Sequence, residues 1–426
     1  MRIGLFGQFG SGNTGNDGSL EAMLQLLKRN CPGAQLVCIC SRPDIVAQKF
    51  DLTARPVSQP YPSNWLLRAV NKAMLHVPRR AVGFCCALLL ASQLDLIVVP
   101  GTGILDDFNE NPFGWPFAVL RWSLAARLTG TRMIFVSIGA GPVSHPLSRR
   151  FVRWASTLAA FRSYRDQVSH DFMKQLGVAP SGDFVSADIA FALPTAPDGR
   201  QGEKDQCVGI GVMSYRGWKK KSSDGDAVYA DYLAKMTTLA RRLLGDGRQV
   251  RLLIGDKGDM EAARDILEQL GPAEAGRVIF EPSASLPDLM RQIARTDIVV
   301  ASRYHNIVSA LAMGRPAVSL AYASKNDALL HDTGLSAFCH RIDSFDPETI
   351  LDQIDFAFAE RTALTRQVEA GVERYRSGLA GQEEILRALF LDPAPQKADC
   401  AAQSCTASVS PGGSFQQVVE RGNDCQ

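Results

Sequence analysis

The sequence predicts an α/β protein built from two Rossmann-like domains around a cleft. Its 426 residues favour two domains, because one domain usually takes roughly 100–200 residues. Short β-rich apolar runs alternate with helical patterns along most of the chain, which is typical of stacked βαβ units and parallel sheets. A polar stretch at 194–206 with two prolines and two glycines interrupts the alternation, and indicates a connection between two halves.

Each half supplies its own strands and helices. Apolar runs in the first half predict strands at 2–6, 35–39, 94–99 and 133–138, and helical patterns predict helices at 20–28, 116–128 and 148–160. In the second half the runs predict strands at 207–212, 250–254, 277–280, 297–300 and 317–320, with a helix at 307–313. We therefore expect an N-terminal domain at 1–196, a linker at 197–206 and a C-terminal domain at 207–391. The last segment, 392–426, has too little apolar content to fold, and we expect it to be disordered.

The composition excludes several classes of protein. Forty-six basic residues against 44 acidic ones leave a formal net charge of +2, too small for a dedicated nucleic-acid binder. The longest apolar run, 81–91, has 11 residues, whereas a membrane-spanning helix needs about 17–25. No apolar core of a signal peptide follows the first residues. We therefore expect a cytoplasmic enzyme without a nucleic-acid partner.

The cysteines do not indicate a metal site. Ten cysteines are too few for a disulfide scaffold and fit buried thiols in a reducing cytosol. Cys38 and Cys40 alternate along a predicted strand, and we expect their side chains on opposite faces, where they could not share an ion. Neither histidines nor carboxylates occur at the spacing of metal ligands. The sequence thus predicts no metal.

The first strand ends in a glycine-rich turn, 7–17, that leads into a helix. Such a turn lets a ligand approach the backbone, and the helix N-terminus offers free N–H groups to an anion. The candidate binding residues of this turn are Gly12, Asn13, Gly15 and Asp17. The spacing also satisfies the dinucleotide pattern G-x-G-x-x-G, but the next strand ends at Arg42 without an acidic residue, which leaves NADP rather than NAD. A tight turn with only a structural role is the third interpretation.

Two more strands of the first half end in glycine-bearing loops. Gly101 and Gly103 follow the strand at 94–99, and Gly139 and Gly141 follow the strand at 133–138. Because the carboxyl ends of parallel strands share one edge of a sheet, the three loops should gather there. We interpret them as a binding rim.

The strongest catalytic candidates follow the strand at 297–300, where Ser302, Arg303 and His305 precede a helix. The carboxyl end of a strand there meets the amino end of a helix, a place that suits a phosphate or a carboxylate. His305 can exchange a proton near neutral pH beside such an anion. Arg165 and Lys325 are further basic candidates, and surface pairing with a carboxylate is the alternative for both.

The segment 65–80 combines an apolar helical stripe with basic residues. The stripe consists of Trp65, Leu66, Ala69, Val70, Ala73 and Met74, and the basic residues are Arg68, Lys72, Arg79 and Arg80. A helix of this kind can lie on an anionic membrane surface. A core-facing helix with a solvated basic face is the alternative.

Taken in order, these segments resemble the polysaccharide pyruvyl transferase family. The resemblance rests on GNTGND (12–17), the loop at 101–103, SIGAGP (137–142), YRD (164–166), ADIAF (187–191), SRYH (302–305), ALAMGRP (310–316) and YASK (322–325). It extends over most of residues 1–390. Two positions depart from the family pattern: Asn16 stands where the family has the Asp of Gly-Asn-x-Gly-Asp, and Tyr304 stands where it has Leu in Arg-Leu-His. The fold that the resemblance implies is glycosyltransferase-B-like, with the acceptor on the N-terminal side and the donor on the C-terminal side.

The resemblance also implies an activity. The family transfers a pyruvyl group from phosphoenolpyruvate to sugar hydroxyls and forms a cyclic ketal. Phosphoenolpyruvate is then a co-substrate, no cofactor is implied, and the acceptor is a cell-envelope or extracellular polysaccharide or its lipid-linked precursor. His305 would be the catalytic acid and base, with Arg303, Arg165, Lys325 and Ser302 binding the donor and the glycine loops on the acceptor side.

Two other functions fit the same two-domain plan. A nucleotide-sugar glycosyltransferase would need a carboxylate on the helix after Arg303 to hold the ribose, and 306–315 contains none. A non-catalytic module that senses an anionic metabolite would not need His305. If the segment 65–80 contacts a membrane, a lipid-linked acceptor and a peripheral location at its inner face become the favoured interpretation.

Overall fold

A computed structural model describes residues 1–59, 63–74, 76–107, 110–180, 182–197, 206–217 and 224–391. The N-terminal strands are β1 (Arg2–Gly7), β2 (Gln35–Cys40), β3 (Thr53–Pro56), β4 (Leu96–Pro100), β5 (Arg132–Ile138), β6 (Phe161–Tyr164) and β7 (Phe184–Val185). Within the described residues they form one parallel sheet of seven strands in the order β3-β2-β1-β4-β5-β6-β7. The accompanying helices are α1 (Thr14–Asn30), α2 (Pro43–Phe50), α3 (Trp65–Ala73), α4 (Val77–Ala91), α5 (Trp115–Thr129), α6 (Pro146–Thr157) and α7 (Gln167–Gln175).

The second half forms its own parallel sheet. Its strands are β8 (Cys207–Gly211), β9 (Gln249–Leu253), β10 (Val278–Phe280), β11 (Ile298–Ala301), β12 (Ala317–Ala321) and β13 (Cys339–Arg341), in the order β10-β9-β8-β11-β12-β13. The helices are α8 (Gly225–Gly245), α9 (Met260–Leu270), α10 (Pro272–Ala275), α11 (Leu286–Ile293), α12 (Tyr304–Ala312), α13 (Ser324–Asp332), α14 (Pro347–Ala359) and α15 (Arg361–Leu386). The predicted fold class, two Rossmann-like α/β domains, is confirmed.

Burial explains why these segments form strands. The central strands β4 and β12 are apolar and buried along their whole length, as parallel strands covered by helices on both faces must be. In each sheet the strand order reverses beside the first strand, at β1 and β4 in one and at β8 and β11 in the other. A crevice opens at the carboxyl ends of strands at such a point, and both crevices face the junction of the two halves.

The segment 65–80 differs from its prediction as a single helix. α3 and α4 meet at an angle of 98°, and His76, the N-cap residue of α4, adopts a left-handed φ of 63° between them. The apolar side chains of α3 point outward, with Trp65 72% and Leu66 53% exposed, while Asn71 is buried. The core-facing interpretation of this segment is therefore wrong.

Among the described residues, no single helix is both long enough and apolar enough to cross a membrane. The helices α3 and α4 reach the length and apolar content of a span only when they are counted together across their bend. Most of the expected linker and the whole of the expected disordered tail, 392–426, lie outside the described residues.

The last helix returns to the N-terminal half and fastens the two halves together. On α15, Tyr375 packs against Phe191 with 4.8 Å between ring centroids, and the amide of Gln382 donates to the buried Ser137 hydroxyl at 3.0 Å. Just beyond α15, Phe390 packs against Phe161 with 5.9 Å between centroids. The C-terminal segment thus contributes apolar area to the core of the first sheet.

This packing predicts a difference between two neighbouring side chains. Phe390 is buried, whereas Leu389 is 57% exposed. We expect Phe390→Ala to lower the free energy of unfolding by about 3 kcal/mol, because it leaves a cavity beside Phe161. Leu389→Ala is the matched control and should change it by less than about 0.5 kcal/mol. Urea denaturation followed by tryptophan fluorescence measures both, and equal effects would contradict this packing.

Candidate active site

A cavity of about 220 Å³ lies between the halves, at the carboxyl ends of both sheets. Its wall from the N-terminal half consists of Gln8, Asn13, Asn16, Gly103, Asp106, Glu110, Trp115 and Arg165. The C-terminal half contributes Gly255, Arg303, Tyr304, His305, Asn306, Tyr322 and Lys325. Four of the predicted basic residues, Arg165, Arg303, His305 and Lys325, therefore line one cavity.

The first glycine-rich turn docks on the C-terminal half. The Thr14 backbone N–H and hydroxyl both donate to the Gly255 carbonyl, at 3.1 and 2.7 Å. The Lys257 N–H donates to the Gly12 carbonyl at 3.1 Å, and the Asn13 amide donates to Asp256 at 3.0 Å. This turn is an interdomain contact, which a bound dinucleotide would have to displace.

The N-terminus of α1 is already capped. The Asn13 side-chain oxygen accepts from the N–H groups of Gly15 and Asn16, at 3.0 and 3.2 Å. The expectation that this helix offers free N–H groups to an anion is therefore wrong. Asp17 is also engaged, since its carboxylate accepts from the Gly10 N–H at 2.8 Å and pairs with Lys49 at 2.8 Å. Asp17 holds the turn together and is absent from the cavity wall.

The imidazole of His305 lies directly against the backbone of Gly15. A methyl group on Gly15 would come within 2.0 Å of Nδ1, so only glycine leaves room for the ring. On its other side the ring turns Nε2 toward Asp188 Oδ2, at 3.6 Å. Nε2 is buried without a hydrogen-bond partner among the described residues, and the His305 side chain as a whole is 14% exposed. Because Nε2 faces Asp188, Nδ1 is the ring nitrogen that remains for a ligand in the cavity.

Asp188 connects His305 to Arg165. Its Oδ2 also lies 3.2 Å from Arg165 Nη1, and its Oδ1 accepts from the Ala190 N–H at 3.0 Å. Burial alone would raise the pKa of Asp188, but His305 and Arg165 outweigh it and lower the pKa below its ordinary value. This carboxylate is thus ionised at neutral pH and stabilises positive charge on both neighbours.

Arg165 is held rigidly at the floor of the cavity. Its guanidinium stacks on the Tyr304 ring, 4.2 Å from the centroid. Burial lowers its pKa, and Tyr304, Asp188 and Asp166 together raise it above its ordinary value. A methyl group on Gly139 would lie 2.6 Å from the guanidinium, so this glycine makes space for Arg165. Tyr304 therefore supplies an aromatic platform in the cavity.

Lys325 approaches the same platform from the C-terminal half. Its Nζ lies 5.6 Å from the Tyr304 ring centroid and 5.0 Å from that of Tyr322. Burial raises the pKa of Tyr322, but Lys325 and Arg303 outweigh it and lower the pKa. Within the described part of the chain no carboxylate lies within 4.0 Å of Lys325. Lys325 is thus the cation of this cavity that is best placed to meet an anionic ligand.

Arg303 is more strongly engaged than the sequence predicts. Its Nε and Nη2 donate to both oxygens of the buried Asp259, at 2.8 and 2.7 Å. Burial raises the pKa of Asp259, while the Arg303 guanidinium and the Ser214 N–H oppose the rise. The Nε and Nη2 donors of Arg303 are therefore occupied by Asp259, and Nη1 is the donor that remains for a ligand in the cavity.

The remaining predicted site residues support the cavity from behind. Ser302 is fully buried, and its hydroxyl lies 3.2 Å from the Tyr232 hydroxyl, so the expected contact of Ser302 with a donor does not fit this geometry. The Gly101 carbonyl accepts from Ser19 at 3.0 Å, and the Gly141 N–H donates to the Leu105 carbonyl at 2.9 Å. Of the four rim glycines, Gly103 alone is part of the described wall.

Three important side chains were not among the predicted site residues. Asp188 falls within the ADIAF segment but was not assigned a role, and Tyr322 falls within YASK. Asp259 lies 44 residues before its partner Arg303, and no local pattern marks it. Among the described residues no group of three His, Cys, Asp or Glu side chains is placed to hold a metal ion. The expectation that Cys38 and Cys40 face opposite sides was wrong: residues two apart on a strand share a face, and both lie in one apolar cluster.

Comparison with known proteins decides the family. A family model described as polysaccharide pyruvyl transferase matches residues 13–324, which include every wall residue of the cavity except Gln8 and Lys325. The chain belongs to the polysaccharide pyruvyl transferase family. No curated protein sequence matches this family member.

Solved structures share the fold of this pyruvyl transferase family member at low sequence identity. MnaA of S. aureus with UDP is 11% identical, with a TM-score of 0.59 over 91% of this chain and 95% of that one. HepE of Anabaena with UDP-glucose is 15% identical, with a TM-score of 0.56 over 91% and 100%. The UDP-GlcNAc 2-epimerase of Neisseria meningitidis bound to UDP-GlcNAc is 12% identical, with a TM-score of 0.55 over 91% and 100%. These likenesses show a glycosyltransferase-B-like fold.

The contact between Gly15 and His305 predicts a strong effect of one methyl group. We expect Gly15→Ala to displace the imidazole and to lower the transferase turnover by about 100-fold or more, because a small misplacement of a catalytic group is costly. Gly33→Ala is the matched control, since a methyl group on Gly33 meets nothing within 4 Å. Turnover and melting temperature are measured together for both variants. Normal turnover in folded Gly15→Ala would contradict the placement of His305.

Proposed function

We propose that this protein transfers the pyruvyl group of phosphoenolpyruvate to two hydroxyls of one sugar in a cell-envelope or extracellular polysaccharide or its lipid-linked precursor. The observation that carries this proposal is the array of His305, Asp188 and Arg165 beside a cavity between the two halves. Family membership supports the same reaction.

The size of the cavity favours a small donor. Its volume of about 220 Å³ is below the roughly 300–1,000 Å³ that is typical of sites for drug-sized ligands. Phosphoenolpyruvate has ten heavy atoms in its skeleton and phosphate, and a nucleotide sugar is several times larger. A three-carbon phosphate ester therefore fits the cavity better.

The charges favour a donor with two acidic groups. The N-terminus of α12 has no side-chain cap. The Asn306 N–H donates to the Arg303 carbonyl at 3.1 Å, and the N–H groups of Tyr304 and His305 remain for an anion. We assign the donor phosphate to this helix end together with Lys325 and the outer edge of Arg303. The donor carboxylate then lies beside Arg165, above the Tyr304 ring.

The reaction needs one proton at C3 of the donor. His305 donates it from Nδ1, which converts the methylene to a methyl group and makes C2 electrophilic. A sugar hydroxyl oxygen bonds to C2 and loses its proton, which returns to the imidazole. The bond between C2 and the phosphate oxygen then breaks, and the second hydroxyl oxygen closes the ketal. The proton of the first hydroxyl thus restores the imidazole after its proton has gone to C3. The proton of the second hydroxyl leaves with phosphate.

Asp188 and the cations lower the barriers of these steps. The ionised Asp188 stabilises the imidazolium that must form before protonation of C3. Lys325 and Arg303 stabilise the charge on the departing phosphate. Asp106 and Glu110 line the N-terminal side of the cavity, where their carboxylates can accept hydrogen bonds from the hydroxyls of the acceptor sugar.

The direct test is release of phosphate from phosphoenolpyruvate in the presence of a glycan acceptor. We expect His305→Ala to lower kcat by about 100- to 10,000-fold, the usual contribution of a general acid and base, with little change in KM for the donor. His331→Ala is the matched control, because the side chain of His331 is 79% exposed and remote from the cavity wall. Full turnover of His305→Ala would contradict the proposed mechanism.

A second prediction concerns the charge of Asp188. Its pKa is lowered, so the carboxylate is charged over the neutral range, 3.6 Å from His305 Nε2 and 3.2 Å from Arg165 Nη1. Asp188→Asn keeps the shape and removes the charge that stabilises positive charge on both neighbours. We expect kcat at neutral pH to fall by about tenfold or more. Unchanged turnover in a variant with normal melting temperature would contradict this role.

The structural neighbours favour one alternative function. Three of them contain UDP or a UDP-sugar, which makes a nucleotide-sugar glycosyltransferase the second candidate. Thermal shift assays with phosphoenolpyruvate, UDP-glucose and NADP distinguish this candidate, the NADP enzyme and our proposal. Stabilisation by phosphoenolpyruvate alone is expected. Stabilisation without phosphate release, for every acceptor, would instead indicate the anion-sensing module.

A further inference from the structure

The sequence segment that contains α3, 52–94, is rich in apolar and basic residues and has no acidic residue. Between Asp51 and Asp95 the sequence contains five basic residues and no carboxylate. On α3, Trp65, Leu66 and Leu67 are 72%, 53% and 56% exposed. Arg68 and Lys72 lie on the same helix. Because an exposed apolar patch costs free energy in water, a soluble protein rarely keeps one without a partner.

A basic pocket of about 250 Å³ adjoins this surface. It is lined by His76, Arg79 and Arg80 at the start of α4. Phe113, just before α5, and Arg121, within α5, also line it. Arg80 stacks on the Phe113 ring at 3.8 Å. No carboxylate belongs to the described wall of this pocket. The pocket therefore concentrates positive charge beside an apolar surface.

Arg121 carries a buried charge that an anion in this pocket would stabilise. Only 5% of it is exposed, and its Nη2 donates to Ser58 at 2.8 Å and to the Val57 carbonyl. Its Nε is buried and has no hydrogen-bond partner among the described residues. Burial and the charge of Arg79 lower the pKa of Arg121 to about 10. An anion in the pocket would offset the cost of burying this charge.

The pocket and the catalytic cavity share one loop. Asp106, Glu110 and Trp115 line the cavity, whereas Asn111 and Gly114 line the basic pocket. The two sites thus lie on either side of the segment 110–115. A phosphate held in the pocket would place the group attached to it next to the acceptor side of the cavity.

We propose that α3 and the start of α4 lie in the interface of an anionic membrane, with a lipid phosphate in the pocket of Arg79, Arg80 and Arg121. Charge complementarity and the exposed Trp65 both fit a bilayer surface, since tryptophan prefers the headgroup region and each basic residue near an anionic surface adds about fivefold in affinity. The bend of 98° between α3 and α4 suits helices that rest on a membrane. This inference deepens the proposed function, because it makes a phosphate-linked lipid the carrier of the acceptor sugar.

The test is flotation of the full-length protein with vesicles, without donor or acceptor. We expect binding to vesicles of phosphatidylcholine with 30% phosphatidylglycerol (about one lipid in three, enough for a strong surface potential) and little binding to phosphatidylcholine alone. Leu66→Ser with Leu67→Ser should weaken binding about tenfold or more. Arg68→Gln with Lys72→Gln should weaken it about 25-fold. No binding of the wild type to anionic vesicles would overturn the proposal.

Two exposed residues of the C-terminal half serve as matched controls. Phe356 is 54% exposed and Arg291 has a side chain that is 60% exposed. Phe356→Ser and Arg291→Gln should bind vesicles as the wild type does, and equal losses in these controls would show non-specific adsorption and overturn the proposal. Raising the salt concentration should weaken the binding of the wild type to anionic vesicles more than that of the Arg68→Gln, Lys72→Gln variant.

The pocket itself is tested with Arg121→Met and, should that variant not fold, with Arg80→Gln. Each should weaken binding to anionic vesicles by about fivefold. Inorganic phosphate could stabilise the wild type through Arg121 while vesicles fail to bind. That result would identify the ligand as free phosphate and overturn the lipid assignment. Phosphate release with a water-soluble glycan should be unchanged in Leu66→Ser, Leu67→Ser. Failure of membrane binding therefore leaves the proposed reaction standing, and failure of phosphate release leaves the membrane site standing.

Discussion

The site depends on the contact between the backbone of Gly15 and the imidazole of His305. These two residues belong to different halves of the chain, and a methyl group would not fit between them. Their contact is supported by the hydrogen bonds of Thr14 to the Gly255 carbonyl. A glycine-rich strand-to-helix turn thus acts as the wall against which the imidazole of His305 is set.

Two of the cations at the cavity are held by buried carboxylates. Asp188 and Asp259 are almost fully buried and each holds a cation in place, Arg165 in one case and Arg303 in the other. A buried ion pair is weak evidence for stability, because desolvation offsets most of the attraction. Its value here is positional, since it fixes both guanidinium groups at the wall of the cavity. Lys325 makes no ion pair with the described carboxylates and adds positive charge beside the Tyr304 and Tyr322 rings.

Much of the fold could be predicted from periodicity. The strands β1, β2, β4, β5 and β8 to β12 were predicted to within about two residues, because each is a short apolar run. The strands β3, β6, β7 and β13 were missed. TARP, FRSY and CHR carry at least as many polar as apolar residues, and β7 has only two residues. The break between α3 and α4 was missed although Pro78 marks it.

The site was predictable only where its chemistry is local. His305 and Arg303 stand at one turn, so a strand followed by a helix was enough to find them. Their carboxylate partners come from distant segments, Asp188 and Asp259, and only the tertiary fold brings them close. Gly15 was predicted to contact a ligand, whereas the structure places it against His305. The action of these residues on the donor depends on the position in which the donor binds.

That position can be measured directly. A crystal structure with phosphoenolpyruvate, or an unreactive analogue, gives the distance from His305 Nδ1 to C3 of the donor. Our account predicts a separation of about 3–3.5 Å, the range for reacting atoms held in place, with the donor carboxylate beside Arg165. A donor bound outside the cavity, or one whose C3 faces away from Nδ1, would contradict it.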